Sequence, residues 1–232
     1  MSLIRIDKYL SVACGTSRTD AKQLLKTGAI TADGIKITKA DTKVDESACV
    51  KNGDSLLVYK RYIYIAMNKP SGVLSACNDK RVKTVIDLLP EELKREGLFP
   101  VGRLDKDTTG LLIITDDGDF GHRIISPKSG IEKCYLAGLD GDITDEDVAA
   151  FCKGIILADG EECKPALLER VGEGKARVTI SEGKYHQIKR MFGTRGLGVV
   201  TLHRLSIGGL LLPEDIPAGG ARELKNEELG AI

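Results

Sequence analysis

The most constraining feature of this 232-residue chain is a polar loop that runs directly into a short apolar stretch near its middle. Gly102 and Gly110 bracket the loop, and the apolar residues 98–101 before it are predicted to be extended. The apolar run at residues 111–114 is closed by Asp116-Asp117-Gly118, a turn signal. We therefore predict a buried strand that holds the loop rigidly from behind, an arrangement in which polar loop residues are often functional.

Two carboxylates in this loop, Asp105 and Asp107, are the first candidate functional groups. The alternative interpretation is structural, because aspartates commonly form turns and accept hydrogen bonds from loop amides. For a loop considered by itself, the structural interpretation is the better one. The identity of the neighbouring residues, and two further motifs along the chain, are needed to decide between them.

The composition restricts the kinds of function that need to be considered. Acidic and basic residues balance at 34 each, so any nucleic-acid surface would have to be a local patch. With four phenylalanines, six tyrosines and no tryptophan, recognition mainly by base stacking is not expected. We also expect neither a secretory signal nor a membrane span. The six cysteines are scattered without metal-ligand spacing, which favours free thiols in a reducing cytoplasm.

The first 59 residues are predicted to form a small α/β module. Two short helices, separated by Cys14-Gly15-Thr16, precede short strands with turns at residues 32–34 and 51–54. The second helix, over residues 18–26, can be capped by Ser17 or Thr16. One face of that helix carries three basic residues at i, i+4 and i+8: Arg18, Lys22 and Lys26.

Three motifs together resemble the pseudouridine synthases that act on ribosomal RNA. Gly-Arg-Leu-Asp at residues 102–105, followed by Asp-Thr-Thr-Gly-Leu, resembles their signature, which implies that Asp105 is the catalytic carboxylate. Lys-Cys-Tyr, ending at Tyr135, is similar to the second motif, whose tyrosine packs against the target uracil. His-Gln-Ile-Lys-Arg-Met, after Glu-Gly, is similar to the third motif. There a basic residue pairs with the carboxylate; we assign it to Lys189 and keep Arg190 open.

The same resemblance implies a set of RNA contacts. Residues 3–58 look like an S4-like RNA-binding module, whose basic side chains contact phosphates without reading sequence. In this module the implied contacts are Arg5, Lys8, Arg18, Lys22 and Lys26. In the catalytic domain they are Lys69, Arg103, His186 and Arg190.

We predict an α+β chain of two domains, residues 1–59 and residues 60–232. The periodicity of the apolar residues gives only the α+β class. The resemblance implies that the second domain has a mixed, mostly antiparallel sheet flanked by helices. Within it, helical segments are predicted at residues 84–89, just after Pro90, at residues 118–126, at residues 144–153, and in the third motif after Glu182-Gly183.

Leu-His-Arg at residues 202–204 and Ile-Gly-Gly at residues 207–209, with the third motif, resemble the RsuA subgroup, which acts on small-subunit (16S) rRNA. The resemblance implies isomerisation of one uridine by an aspartate and base flipping, with no cofactor and no metal. The implied partner is small-subunit rRNA or a partly assembled small subunit. A monomer in the cytoplasm, without membrane contact, is expected.

Three alternatives compete with this interpretation. The same chemistry could act on large-subunit (23S) rRNA. A non-catalytic rRNA-binding assembly factor could keep the fold, although none of Asp105, Tyr135 and Lys189 is replaced by an inert residue. A glycosidase-like hydrolase would use Asp105 and Asp107 as paired carboxylates. We expect these two side chains to point away from each other, with Asp107 bonded to loop amides or Thr109.

Overall fold

The computed structural model describes residues 2–232, which form two compact units. The first unit comprises residues 2–63 together with Lys94–Glu96, and the second comprises Tyr64–Leu93 with Gly97–Ile232. The division falls four residues after the predicted boundary between residues 59 and 60. Arg95 belongs to the first unit because its guanidinium donates to the Lys60 and Arg61 carbonyls, at 2.9 and 2.7 Å. A contact so distant along the chain leaves no local signal in the sequence.

The first unit contains the two predicted helices and short antiparallel strands. Its elements are β1 (Leu3–Arg5), α1 (Ile6–Ala13), α2 (Arg18–Lys26), β2 (Ile30–Ala32), β3 (Ile35–Lys36), β4 (Lys43–Asp45), β5 (Val50–Asn52) and β6 (Ser55–Leu57). β1 pairs with β4, and the other strands form a sheet in the order β3-β2-β5-β6. Ser17 caps α2 by accepting from the Asp20 amide, as predicted. Ile6, Leu10 and Leu25 are buried between helices and strands.

The second unit is built on a nine-stranded sheet. Its elements are β7 (Tyr64–Lys69), β8 (Phe99–Pro100), β9 (Thr109–Thr115), α3 (Gly118–Ile125), β10 (Lys133–Leu139), α4 (Asp145–Lys153), β11 (Leu167–Gly172), β12 (Lys175–Ile180), α5 (Gln187–Gly193), β13 (Val199–Ile207), β14 (Leu210–Leu211), β15 (Ala221–Glu223) and α6 (Asn226–Leu229). The main order is β11-β12-β10-β13-β9-β7-β15, with β8 on β9 and β14 on β13. Only β9 and β13 run parallel among the described strands, which confirms a mixed, mostly antiparallel sheet.

One predicted helix is absent. Residues 85–88 form a turn instead, preceded by the Asp87 carboxylate accepting from the Thr84 amide and hydroxyl at 2.8 and 2.9 Å. Pro90 has no amide hydrogen and disfavours a helical conformation at Leu89, so the turn cannot extend into a helix. The helical turn predicted after Pro90 is confirmed as a short 3₁₀ helix, Glu91–Leu93.

The centre of the sheet positions the polar loop singled out in the sequence. Residues 111–114 of β9 are completely buried, so β9 fixes the downstream end of the loop as predicted. At Gly110 the backbone φ is +100°, and an added Cβ would collide with the backbone of Arg204 in β13. The register pairs Arg204 with Gly110 on one side and with Tyr135 of β10 on the other. The loop and the second motif are thus brought together across β13.

Candidate active site

The loop between β8 and β9 is held from below by a buried lysine. The three N–H donors of the Lys69 ammonium are shared among the backbone carbonyls of Pro70, Asp105, Lys106 and Thr108, at 3.1, 3.1, 3.1 and 2.9 Å. Lys69 is completely buried at the end of β7. The expectation that Lys69 touches RNA is therefore wrong, because its charged end lies under the loop. Its hydrogen bonds instead fix the backbone on both sides of the Asp105 side chain.

A second set of contacts holds the other flank of the loop. The Ser75 hydroxyl donates to the Leu104 carbonyl at 3.0 Å and accepts from the Leu104 amide at 3.1 Å. The Gly72 amide donates to the Lys106 carbonyl at 2.8 Å. Asp105 lies between these two anchored residues, so its Cα position is set by the scaffold. Such backbone anchoring preorganises a functional carboxylate.

The buried amine of Lys69 gives a pH-dependent prediction. Burial lowers the pKa of Lys69 to about 8, although the Asp107 and Asp105 charges oppose the shift. Between this value and the unfolded value of about 10.4, the unfolded chain binds more protons than the folded chain. The free energy of unfolding should therefore rise with pH in this window, by at most about 1.4 kcal/mol per pH unit from this group.

Urea unfolding of the wild type and of Lys69→Met from pH 7 to 10 isolates this contribution, because other titrating groups are common to both. We expect the difference between the two free energies of unfolding to be flat below pH 8 and to grow in favour of the wild type above it. A difference that stays constant to pH 10 would show that the folded state does not lower the pKa of this amine.

The Asp105 carboxylate lies between two side chains of the third motif. Its two oxygens are 3.4 Å from His186 Nε2 and 3.4 Å from Lys189 Nζ. The side chain of Asp105 is about a quarter exposed, so a substrate can reach it. Burial would lower the pKa of Lys189, but hydrogen bonding to Asp107 and the charges of both aspartates outweigh it and raise the pKa. Lys189 is therefore a stable cation beside Asp105.

Arg190, which the sequence left open as the partner of Asp105, pairs with other residues. Its guanidinium binds Asp159 at 2.5 Å and Glu161 at 3.1 Å, on the loop that follows α4. This arrangement assigns the contact with Asp105 to Lys189. The RNA contact proposed for Arg190 stays a prediction. Two carboxylates already compensate the charge of this guanidinium.

Asp107 differs from its expected environment. Its oxygens accept from Lys189 Nζ at 2.6 and 2.8 Å, which holds the pKa of Asp107 below its usual range. The Thr109 hydroxyl instead lies 2.8 Å from His203 Nδ1. Asp105 and Asp107 were expected to point apart, but both face Lys189. The reason is a turn, closed by the Thr108 amide donating to the Asp105 carbonyl at 3.1 Å.

Tyr135 of β10 forms another part of the wall of the site. Tyr135 is buried except for 8% of its surface. Its hydroxyl is 3.4 Å from Nη1 of Arg204, whose Nε donates to the Leu111 carbonyl at 2.7 Å. Arg204 is itself buried, and its Nη2 has no protein hydrogen-bond partner. The second motif therefore places its tyrosine beside a buried cation in β13.

The third motif begins with a polar clasp that sequence reasoning missed. The buried Glu182 carboxylate accepts from Gln187 Nε2 at 2.7 Å and from the Lys164 amide at 2.9 Å. The side-chain oxygen Oε1 of Gln187 accepts from the Lys184 backbone amide at 3.0 Å. The clasp closes the loop ahead of α5 and holds His186 in the left-handed region, at φ +48°. The sequence offered one indication of this clasp: Glu182 and Gln187 are polar, lie five positions apart and enclose Gly183.

Together these elements line an open cleft of about 80 Å³. Asp105 is the one acidic side chain lining it within residues 2–232. Its lining residues include Arg103, Leu104, Asp105, Thr108, Tyr135, Lys184, His186, Gln187, Lys189 and Leu202. Thus the cleft brings together all three predicted catalytic residues, with Arg103 exposed at its edge. Over the same range, no group of three or more His, Cys, Asp or Glu side chains is arranged to hold a metal ion.

The basic residues proposed for RNA binding in the first unit lie on its surface. Lys8, Arg18, Lys22 and Lys26 are exposed, the last three on α2. Arg5 is half exposed but is bound to the buried Asp7 carboxylate at 2.8 Å. Arg5 therefore contributes less free charge to this surface than the others.

Comparison with known proteins decides the family. Residues 63–194 match the family model described as RNA pseudouridylate synthase, a range that spans more than half of the chain. It contains Asp105, Tyr135 and Lys189. This chain belongs to the RNA pseudouridylate synthase family. The family is therefore the one that the three motifs indicated, and their three residues lie together in one cleft.

Relatives of this synthase align over nearly their entire length. The RNA pseudouridine synthase YtzG of Bacillus subtilis is 42% identical, with 97% of each chain covered. The ribosomal small subunit pseudouridine synthase A of Vibrio cholerae is 41% identical, with 99% of each chain covered. A crystal structure of a pseudouridylate synthase, 35% identical, superimposes with a TM-score of 0.69 and covers 98% of this chain and 99% of that one. Within residues 2–232, no helix is both long and apolar enough to cross a membrane.

Proposed function

We propose that this protein isomerises a specific uridine of small-subunit (16S) ribosomal RNA to pseudouridine. The observation that carries the proposal is the cleft in which the Asp105 carboxylate lies 3.4 Å from both Lys189 and His186. Similarity over the entire length to a ribosomal small subunit pseudouridine synthase A supports the choice of RNA. Small-subunit rRNA, naked or in a partly assembled subunit, is the proposed partner. The monomeric state and the cytoplasmic location stay predictions.

The reaction asks little of the protein beyond one placed carboxylate. The C1′–N1 glycosidic bond breaks, the uracil turns, and a C1′–C5 bond forms, while C5 gives up its proton and N1 takes one up. The product is an isomer of the substrate, so no co-reactant is consumed. The uridine must first leave its stack, which costs a few kcal/mol that pocket contacts offset. Lys189 places a positive charge beside the Asp105 carboxylate and orients it, and Tyr135 offers its ring to the base.

Reverse-transcription mapping of carbodiimide adducts tests the proposal on rRNA that has been incubated with the protein. Naked 16S rRNA, naked 23S rRNA and small-subunit assembly particles are compared. One new pseudouridine in 16S rRNA, free or in the particle, is the expected result. A new site only in 23S rRNA would transfer the activity to the large subunit, and no new site in any RNA would overturn the proposal.

We further propose that residues 2–63 form the S4-like module that binds rRNA through the exposed face of α2. Lys22→Ala combined with Lys26→Ala removes two charges from that face. Because each phosphate contact releases counterions, we expect the slope of log Kd against log salt to fall by about one unit per lysine. Filter binding of 16S rRNA between 50 and 300 mM salt measures this slope.

The matched control is Lys153→Ala combined with Lys175→Ala, two exposed lysines of the second unit without a proposed role. This variant should keep the wild-type slope. Equal slopes for both double variants would remove α2 from the RNA interface.

A further inference from the structure

The rim of the cleft carries an exposed aromatic ring that the reaction described above does not use. Tyr185, just before α5, is 75% exposed. Every other tyrosine and phenylalanine of residues 2–232 is buried or half-buried. An aromatic ring exposed at the rim of a cleft offers a large, rigid contact surface to a bound molecule.

Tyr185 is not an isolated side chain. Its ring stacks on the His186 ring, with centroids 3.8 Å apart and planes inclined by 18°. His186 Nε2 is in turn 3.4 Å from the Asp105 carboxylate. One face of the tyrosine ring is therefore covered, and a single imidazole separates that ring from Asp105.

The backbone around Tyr185 is braced, so the exposed ring has a defined orientation. The Tyr185 carbonyl accepts from Nη1 of Arg190 at 3.1 Å. Arg190 is anchored to Asp159 and Glu161, and Glu161 also binds Lys184 at 2.9 Å. The left-handed backbone of His186, rare for a residue with a side chain, directs its ring beneath Tyr185.

The same ion pairs decide what this part of the rim can offer to RNA. The charges of Lys184 and Arg190 are compensated by Asp159 and Glu161, so phosphate attraction is weak here. An aromatic face remains as the main binding feature. Proteins that bind unpaired RNA stack bases on such faces, each worth about 10- to 100-fold in affinity.

We propose that the outer face of Tyr185 stacks on a nucleobase of the RNA adjacent to the uridine that enters the cleft. A base that loses its neighbour by flipping regains a stacking partner in this way. The proposal rests on the proposed function, since it places this contact beside the reacting nucleotide. Tyr185 is then a substrate-binding residue, while the chemistry stays with Asp105.

The test replaces the aromatic ring by an apolar side chain that has no flat face for stacking. Tyr185→Leu should raise the Kd for 16S rRNA, and the KM, by about 10- to 100-fold, with kcat within about 3-fold of wild type. Tyr185→Phe should stay within about 2-fold of wild type in all three constants. Leu167→Ala, which trims an exposed apolar side chain of β11, is the matched control and should change none of them.

A structural effect is separated from stacking by removing the base instead of the ring. Small-subunit rRNA fragments are made with an abasic nucleotide on one side or the other of the mapped uridine. At one of these positions, the abasic nucleotide should weaken binding by the wild type as much as Tyr185→Leu weakens binding to intact RNA. The same abasic nucleotide should not weaken binding by Tyr185→Leu any further. Equal Kd values for wild type and Tyr185→Leu, or losses that simply add at both positions, would overturn the proposal.

The Kd comparison does not depend on turnover. Absence of pseudouridine with the wild type would therefore contradict the proposed function, while the Kd of Tyr185→Leu would still decide whether this ring binds RNA.

Discussion

Replacing Asp105 by asparagine is expected to slow pseudouridine formation at least about 1,000-fold, because the amide can neither attack nor accept a proton. Asparagine has the same shape, and the loop backbone is held by Lys69 and Ser75, so the fold should be kept. Single-turnover formation of pseudouridine, measured by mass spectrometry of digested rRNA, gives the rate. The Kd for rRNA and the melting temperature of Asp105→Asn should match those of the wild type.

Asp107→Asn is the matched control, since it changes a carboxylate two residues away on the same loop. Asp107 is 69% exposed, and its ion pair with Lys189 therefore contributes little to stability. We expect its rate to stay within about 10-fold of wild type. A rate for Asp105→Asn above one tenth of the wild-type rate would remove Asp105 from the chemistry. Comparable large losses in both variants would show that pseudouridine formation needs both carboxylates and not Asp105 alone.

The second large effect is expected from Lys69→Met. Four backbone carbonyls lose their shared donor, and methionine supplies none, so the free energy of unfolding should fall by about 3 kcal/mol. The loop that carries Asp105 should also become less ordered, lowering kcat by about 100-fold. Urea unfolding and single-turnover kinetics measure the two effects separately.

Lys106→Met is the matched control, because Lys106 is an exposed lysine of the same loop. Its stability should be within about 0.5 kcal/mol of wild type. If Lys69→Met kept both wild-type stability and wild-type kcat, the four hydrogen bonds would not be what positions Asp105.

The elements that position the site were predictable where one local pattern determined them. Continuous burial of residues 111–114, the Ser17 cap and the alternation along β10 are each set by near neighbours. The role of Lys69 was not predictable in this way. Its four partners include three carbonyls of the loop about 36 to 39 residues further along the chain. A lysine before a proline in a turn looks the same whether its ammonium points to solvent or beneath a loop.

The two aspartates illustrate the same limit within a single loop. Their convergence on Lys189 depends on a turn, which a strand-like interpretation of the sequence does not contain. The choice between Lys189 and Arg190 depended on Asp159 and Glu161, which lie on a distant loop and compete for the arginine. Motif residues therefore located the site, and contacts remote in sequence determined their roles.

The most direct test of the central claim is tritium release from rRNA labelled at uracil carbon 5, with the wild type and Asp105→Asn side by side. Formation of the C1′–C5 bond must release this label. RNA binding without chemistry, or hydrolysis of the glycosidic bond, leaves the label on C5. We expect release by the wild type from 16S rRNA, free or in an assembly particle, none from 23S rRNA, and none by Asp105→Asn. Equal release by both proteins, or no release by the wild type from any of these RNAs, would contradict the account.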